Sequence, residues 1–376
     1  MPDCTTPLWP CAMTGAAACL AGFEGITVVI HGSSGCYYYP ATLLHAPLHG
    51  TFILENEVIF GSGDRLREVI GDLSGKGNRI AVVTTCVPSV LGEDIKSLLD
   101  ENDVIIVDSP GFVGEMETGY HTALSTLSPK IDPVQPGVNI DGISLSDPFY
   151  EGNIQEISRI LHRAGIPIGT VFCRDMIKNV GHASQLTIGT NEDFGSGIGG
   201  YIGGTLGIPV VRETCEKLAA EFECANMDPV FTELDNQEER VIHSCDKFLR
   251  RYDPPEVTIF AGAAYALFAA NTLKRYLDAQ ILVVGTRNDI PVQSNVDYRL
   301  DKITGLEEVS ATISELKPDL VIGSSFERSL SPGRAFVGII PPLRGQVRLA
   351  YPPLAGIGGT LHFIENVLNA CMDKRV

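Results

Sequence analysis

The sequence predicts an α/β protein of three Rossmann-like units, each a doubly wound parallel sheet. Three observations carry this. Short apolar runs alternate with amphipathic helical stretches, the pattern of parallel strands buried on both faces. The chain has 376 residues, 44% hydrophobic and 20% charged, too many for one ordinary core and too apolar for disorder. Two breaks rich in proline and polar residues, SPKIDPVQPG (128–137) and DPPE (253–256), divide it into thirds. The expected domains are 1–132, 133–253 and 254–376.

In the first third, ITVVIHG (26–32) and NEVIFGS (56–62) read as strands. DRLREVIGDLSGK (64–76) has helical spacing behind an aspartate cap. The strand RIAVVTT (79–85), the helix GEDIKSLLDE (92–101) and the strand DVIIVDS (103–109) follow. The second third opens with the strand VNIDGISL, the helix EGNIQEISRILHRAG with Gly165 as its C-cap, and the strand IPIGTVF (166–172). A long helix is expected over 228–251. The last third alternates EVTIFAG, AYALFAANTLKRYLD, AQILVVGT, GLEEVSATISELK and PDLVIGSS, then ends in a helix from about Thr360 to Cys371.

Lys and Arg number 28 against 46 Asp and Glu, a net charge of −18. A nucleic-acid surface needs clustered cations, so that partner class is not expected. The apolar stretch from Met13 to Ile30 is interrupted by Glu24 and lacks the basic residues that precede a secretory leader. No run reaches the length of a membrane span. The expectation is a soluble, cytoplasmic chain whose ten cysteines serve metal ligation or packing rather than disulfides.

GDLSGKG (71–77) lacks the glycine spacing and the Ser or Thr of a phosphate loop, so no nucleotide is expected on this chain. GSGIGG satisfies G-x-G-x-x-G through Gly195, Gly197 and Gly200, without a long preceding strand, and reads as a close-packed helix start. No C-x-x-C, H-E-x-x-H or G-x-S-x-G occurs.

Three cysteines stand at corresponding places: Cys11 in PLWPCAMTGA, Cys36 in HGSSGCYYYP and Cys86 in TTCVPSVLGED. The last two follow expected parallel strands, whose carboxyl ends converge on one sheet edge, and Cys11 lies on an arm that can fold across them. Three thiolates facing one point suit an iron–sulfur cluster. Small cysteines also fill cores, and the residues alone leave both readings open.

HGSSGC, TTCVPSVLGEDI, DFGSGIGGYIGGTLGIPVV and KPDLVIGSSFE resemble signature segments of the nitrogenase component 1 family. That family includes the nitrogenase α and β subunits, their cofactor-assembly scaffolds and the dark-operative protochlorophyllide reductase subunits. The resemblance covers essentially the whole chain. It implies that Cys11, Cys36 and Cys86 bind a 4Fe-4S cluster at a subunit interface. Two departures matter. QLTIGTNEDFG lacks the cysteine, and PPLRGQVRLAYPPLAGIGG the histidine, that hold the iron–molybdenum cofactor in the nitrogenase α subunit.

Within the family the chain most resembles the homodimeric branch that reduces and cyclises Ni-sirohydrochlorin a,c-diamide. That likeness implies an enzyme, the catalytic component of a two-component system in biosynthesis of the nickel tetrapyrrole coenzyme of methanogenesis. A separate ATP-hydrolysing iron–sulfur protein supplies electrons. Six electrons reduce the nickel tetrapyrrole substrate, and an amide closes to a lactam. Another tetrapyrrole reductase subunit and a non-enzymatic metallocluster scaffold are the alternatives.

Residues 1–64 hold five carboxylates (Asp3, Glu24, Glu55, Glu57, Asp64) and no Lys or Arg, a setting expected to keep a cluster strongly reducing. Asp3 and Cys4 are candidate fourth ligands. For a substrate bearing carboxylates, helix N-termini at Gly195–Gly200 and Gly356–Gly359 and the cations Arg174, Lys178 and Arg212 are candidate contacts. His182 and Asp193 are candidate proton donors. Tyr37, Tyr38, Tyr39 and Leu43 are expected at a docking or dimer surface, or in the core.

Overall fold

The computed structural model describes residues 8–75, 77–99, 104–289, 296–345 and 347–373. It is α/β throughout, with three sheets whose described strand pairings are parallel. The first holds β1 (Ile26–His31), β2 (Leu48–Gly50), β3 (Arg79–Thr84) and β4 (Val104–Asp108), in the order β2-β1-β3-β4. The second holds β5 (Val138–Asp141), β6 (Ile168–Val171), β7 (Leu186–Gly189) and β8 (Gly200–Gly204), ordered β6-β5-β7-β8. The third holds β9 (Glu256–Ala261), β10 (Gln280–Thr286), β11 (Leu300–Lys302), β12 (Leu320–Gly323) and β13 (Ala335–Gly338), ordered β11-β10-β9-β12-β13.

The chain packs as two compact units. One comprises 1–135, 143–146 and 170–184, and the other 136–142, 147–169 and 185–376. In the first, β1 and β3 are the inner strands, and Val28, Val29, Ile30, Ala81, Val82 and Val83 are buried. Branched side chains on both faces give each residue its burial, about 1.5–3 kcal/mol for a Val or Ile, and leave no polar face to orient the strand outward.

Most expected helices are present. Gly63–Leu73, Tyr150–Ala164, Asp228–Leu249, Ala263–Leu277, Leu306–Leu316 and Gly356–Asp373 follow the apolar spacing, and Gly165 caps the second of these in the left-handed conformation. Three expectations fail. NEVIFGS is a helix, Glu55–Phe60, rather than a strand. The Glu57 carboxylate accepts the Leu54 N–H at 2.7 Å and seeds its first turn, and Ile59 and Phe60 point outward instead of into a sheet. Of the helix expected over 92–101, the described residues form only Ile95–Leu98, and a separate short helix, Cys86–Leu91, precedes it and ends at Gly92 with φ +69°. GSGIGG opens no helix: it is a loop entering β8, with Gly197 and Gly199 at positive φ.

The apolar stretch after Met13 is a helix, Ala12–Gly22, buried nearly all round, followed by β1. It packs on the helix Met116–Thr126 at backbone distance. A β-carbon on Gly15 would overlap the Met116 carbonyl, and one on Gly119 the Ala12 carbonyl. Only paired glycines permit that approach. Among the described residues, no helix is long and apolar enough to cross a membrane.

Candidate metal centre

Cys11 is the residue before the first turn of Ala12–Gly22. Its position is held from both sides. The buried Trp9 donates Nε1–H to both Glu117 carboxylate oxygens at 3.0 and 3.1 Å, and Ala12 N–H donates to Gly114 O at 3.0 Å. The glycine contact between the two helices therefore sets where the Cys11 thiol stands.

Cys36 lies in the first turn of Ser34–Leu44, just past the end of β1. Cys86 is the first residue of Cys86–Leu91, just past the end of β3. These strands are neighbours, with His31 opposite Thr84, so both turns leave the same sheet edge. Gly32 lets the two turns touch, since a β-carbon there would overlap the Thr85 hydroxyl.

Gly111, beyond β4, completes the site. Its N–H donates to Cys86 Sγ at 3.1 Å. The point a β-carbon would occupy lies 3.0 Å from Cys11 Sγ and 3.3 Å from Cys86 Sγ. A side chain there would fill the space between two thiols. Cys36 is close enough for both others to act on it. Its pKa is raised, chiefly by burial and further by Cys86 and Cys11, while Ser33 (3.7 Å) and Thr85 favour the thiolate. The Thr85 hydroxyl is buried and makes no hydrogen bond to an oxygen or nitrogen, which leaves it to the Cys36 sulfur.

These features fit an iron–sulfur group. Three thiols stand where helices begin, so backbone N–H groups and helix dipoles oppose the negative charge that such a group carries. Among the described residues, no three or more His, Cys, Asp or Glu are arranged to hold one metal ion. Ligands of a multi-iron centre need not converge on a single atom, because each takes its own iron. Asp3 and Cys4 lie outside the described residues. Cys19, Cys173, Cys215, Cys245 and Cys371 are buried, as packing cysteines should be, whereas Cys224 is exposed.

The other candidates are scattered. His182 is exposed and bonds Asp132 at 3.2 Å, in the first compact unit. Asp193 belongs to the second unit. Arg174 and Lys178 are exposed. Arg212 is engaged by Asp235 at 2.7 Å and Glu238 at 3.7 Å. Gly195, Gly197 and Gly200 are corrected as helix-terminal anion contacts, because the chain continues as a strand. Gly356 does begin a helix, but the Gly358 N–H already donates to the Glu156 carboxylate at 2.8 Å.

Asp193, a candidate from the sequence, stands in a polar cluster whose other members sequence reading missed. Asp193 accepts the Ala264 N–H at 3.1 Å, and burial pushes its pKa up to about 6. Asp147 accepts the Tyr265 hydroxyl and the Phe149 N–H, and burial likewise pushes it up to about 6. Asn153 ties Tyr265 to the Leu354 and Ala355 N–H groups at 2.8–2.9 Å. Arg348 lies 4.5 Å above the Phe149 ring. The local signal for Asp147 was the D-P-F-Y start of a helix; nothing local marked Tyr265 as its partner.

Residues 11–372 match the family described as nitrogenase component 1 type oxidoreductase. The nitrogenase molybdenum-iron protein beta chain of Frankia alni is 29% identical over 188 residues, 43% of this chain and 35% of that one. The nitrogenase iron-molybdenum cofactor biosynthesis protein NifE of Clostridium pasteurianum is 22% identical over 369 residues, 85% of this chain and 79% of its own. The solved structure titled "Nitrogenase Cp1 at pH 6.5" superposes with a TM-score of 0.84 at 18% identity, covering 98% of this chain and 93% of that one, a likeness of fold. The chain belongs to the nitrogenase component 1 type oxidoreductase family.

Proposed function

We propose that this chain is the catalytic component of a two-component, ATP-dependent reductase. Its substrate is Ni-sirohydrochlorin a,c-diamide, which it reduces and cyclises. The observation that carries the reading is the approach of Cys11 and Cys86 to Gly111 and of Cys36 to both of them, in a chain of this family whose sequence lacks the cysteine and histidine that hold the iron–molybdenum cofactor in nitrogenase. The three thiols would hold a 4Fe-4S group, which supplies one-electron storage between the reductase partner and the substrate.

The chain's own residues perform the remaining work. Helix starts and the Gly111 N–H stabilise thiolate charge. Gly111 keeps backbone against the Cys11 and Cys86 sulfurs, and Gly15 with Gly119 fixes the helix that begins after Cys11. Apolar side chains are exposed on the segments that carry the thiols or Gly111, with Val90 at 75% and Tyr38, Phe112 and Val113 exposed too, and on the helix Glu55–Phe60, with Ile59 and Phe60 at 73% and 87%. A patch of this kind marks a protein contact and supports a homodimer with the cluster near its seam. Tyr37 instead packs on Phe52 and bonds Leu48 O. In the second unit, Asp147 and Asp193 keep their protons up to about pH 6, which suits them to protonate a ring in mildly acidic solution, and Arg348 offers a cation for a substrate carboxylate.

The test is anaerobic incubation of the iron-loaded protein with its reductase partner, ATP, a reductant and the nickel tetrapyrrole. Bleaching and blue-shift of the substrate absorption with lactam formation by mass is the expected result; an unchanged spectrum rejects the enzyme reading. The second reading, a metallocluster assembly scaffold, draws support from the NifE likeness over 85% of this chain. It predicts no turnover and transfer of a bound cluster to an acceptor protein.

A further inference from the structure

His31 closes β1, five residues before Cys36, and is fully buried. Both ring nitrogens are engaged: Nδ1 with Thr51 Oγ1 and Nε2 with Ser62 Oγ, each at 3.1 Å. The neighbouring bonds assign the protons. Ser62 donates its hydroxyl to Glu93 Oε2 at 2.5 Å and its N–H to Glu93 Oε1 at 2.7 Å, so its oxygen accepts from Nε2–H. The Gly32 N–H donates to Thr51 Oγ1 at 3.1 Å, leaving the Thr51 hydroxyl to donate to Nδ1. His31 is therefore neutral, with one basic nitrogen open to a proton if the Thr51 hydroxyl turns from donor to acceptor.

An acceptor for that added charge is already built in. Glu93 Oε2 lies 3.5 Å from His31 Nε2, and Glu93 borders a surface cavity of about 340 Å³ also lined by Asp64, Arg67 and Asp94. The backbone links this imidazole to the thiols. Thr85 N–H donates to His31 O at 3.2 Å, Thr85 precedes Cys86, and Gly32 packs on the Thr85 side chain. Burial lowers the His31 pKa, opposed by Glu93 and, more weakly, by Glu57. Glu57 is itself paired with Arg65 at 3.7 Å.

We propose that His31 is a redox-linked proton acceptor for the thiol-lined centre, with Glu93 as its counter-ion. When a one-electron donor reduces the centre, one proton from solvent binds His31 Nδ1, so one negative and one positive charge enter together and the site's net charge is unchanged. No bond to the centre forms or breaks. His31 is a positioning and charge-compensating residue rather than a group that touches substrate. The inference rests on the iron–sulfur reading of Cys11, Cys36 and Cys86.

The experiment is anaerobic iron–sulfide reconstitution of the full chain, iron and sulfide analysis, then mediator titration of the midpoint potential with dithionite from pH 6 to 9. Wild type is expected to bind iron, and its potential to fall with pH at up to about 59 mV per tenfold change in proton activity, the one-electron value. His31→Gln, which keeps a donor for Ser62, is expected to retain iron and show a flat potential. Glu93→Gln is expected to move the sloping region to lower pH, and it stands in if the first variant fails to fold. A flat wild-type potential on an iron-loaded protein overturns the proposal alone. Absence of iron from the wild type overturns the metal-centre reading and the proposal with it.

Discussion

The thiol-lined region and the buried carboxyl cluster both hold a buried acid whose pKa is raised, but among different neighbours. At the thiols, Ser33 and Thr85 partly offset the burial of Cys36, Cys86 and Cys11 add to its rise, and the Gly111 N–H donates to Cys86. Around Asp147 and Asp193, burial dominates the few hydrogen bonds, and both carboxyls keep their protons up to about pH 6. In both regions burial sets the direction of the shift, and what differs is the neighbours: other thiols beside Cys36, hydroxyl, amide and backbone N–H donors beside the carboxyls.

The largest effect is expected from breaking the scaffold of the first region. Gly15→Val drives a side chain into the Met116 carbonyl and should destabilise the fold by about 3 kcal/mol or more. Urea unfolding of the metal-free protein measures it, and a loss under about 1 kcal/mol would contradict the backbone contact. Next in size is removal of single thiols. Cys11→Ser, Cys36→Ser and Cys86→Ser should each cut bound iron about tenfold or more after reconstitution while the fold persists, the loss being at least that of a supporting ligand partner. Full iron in all three variants would reject the ligand set.

The carboxyl cluster sharpens the contrast through pH. The folded pKa of Asp147, about 6, is raised above that of an unfolded chain, near 4. The folded state therefore binds the extra proton, so this contribution is complete below about pH 4 and is lost as pH rises through 6, about 3 kcal/mol in all. Asp147→Asn should remove that slope, making stability flatter between pH 4 and 7 in denaturant titrations. An unchanged slope would show that Asp147 is ionised in the fold. The smallest effect belongs to the Arg212–Asp235 pair, which is partly exposed. Arg212→Ala should cost under about 1 kcal/mol and less at high salt, whereas impaired substrate binding with unchanged stability would return Arg212 to the substrate contacts.

Much of the fold was legible because its signals are local. ITVVIH and RIAVVT can bury both faces only between helices, and EGNIQEISRILHRAG carries both its apolar stripe and its glycine stop. NEVIFGS misled for a related reason. Its apolar density resembles a buried strand, but Ile59 and Phe60 are exposed, and the helix is started by Glu57 reaching back to Leu54. GSGIGG misled because a glycine pattern specifies backbone freedom without saying whether a helix or a strand follows.

The sequence by itself determined which strands would be buried, where Cys36 and Cys86 would emerge, and that a third cysteine preceded an apolar segment. Tertiary structure alone decided that Gly15 meets Met116, that Gly111 stands between Cys11 and Cys86, that His31 is flanked by Thr51 and Ser62, and that Tyr265 serves Asp147. The physical reason is range. Strand and helix periodicities are imposed by bonds between near neighbours, whereas these contacts join residues tens to more than a hundred positions apart, through backbone approaches and lone pairs that leave no repeating mark along the chain.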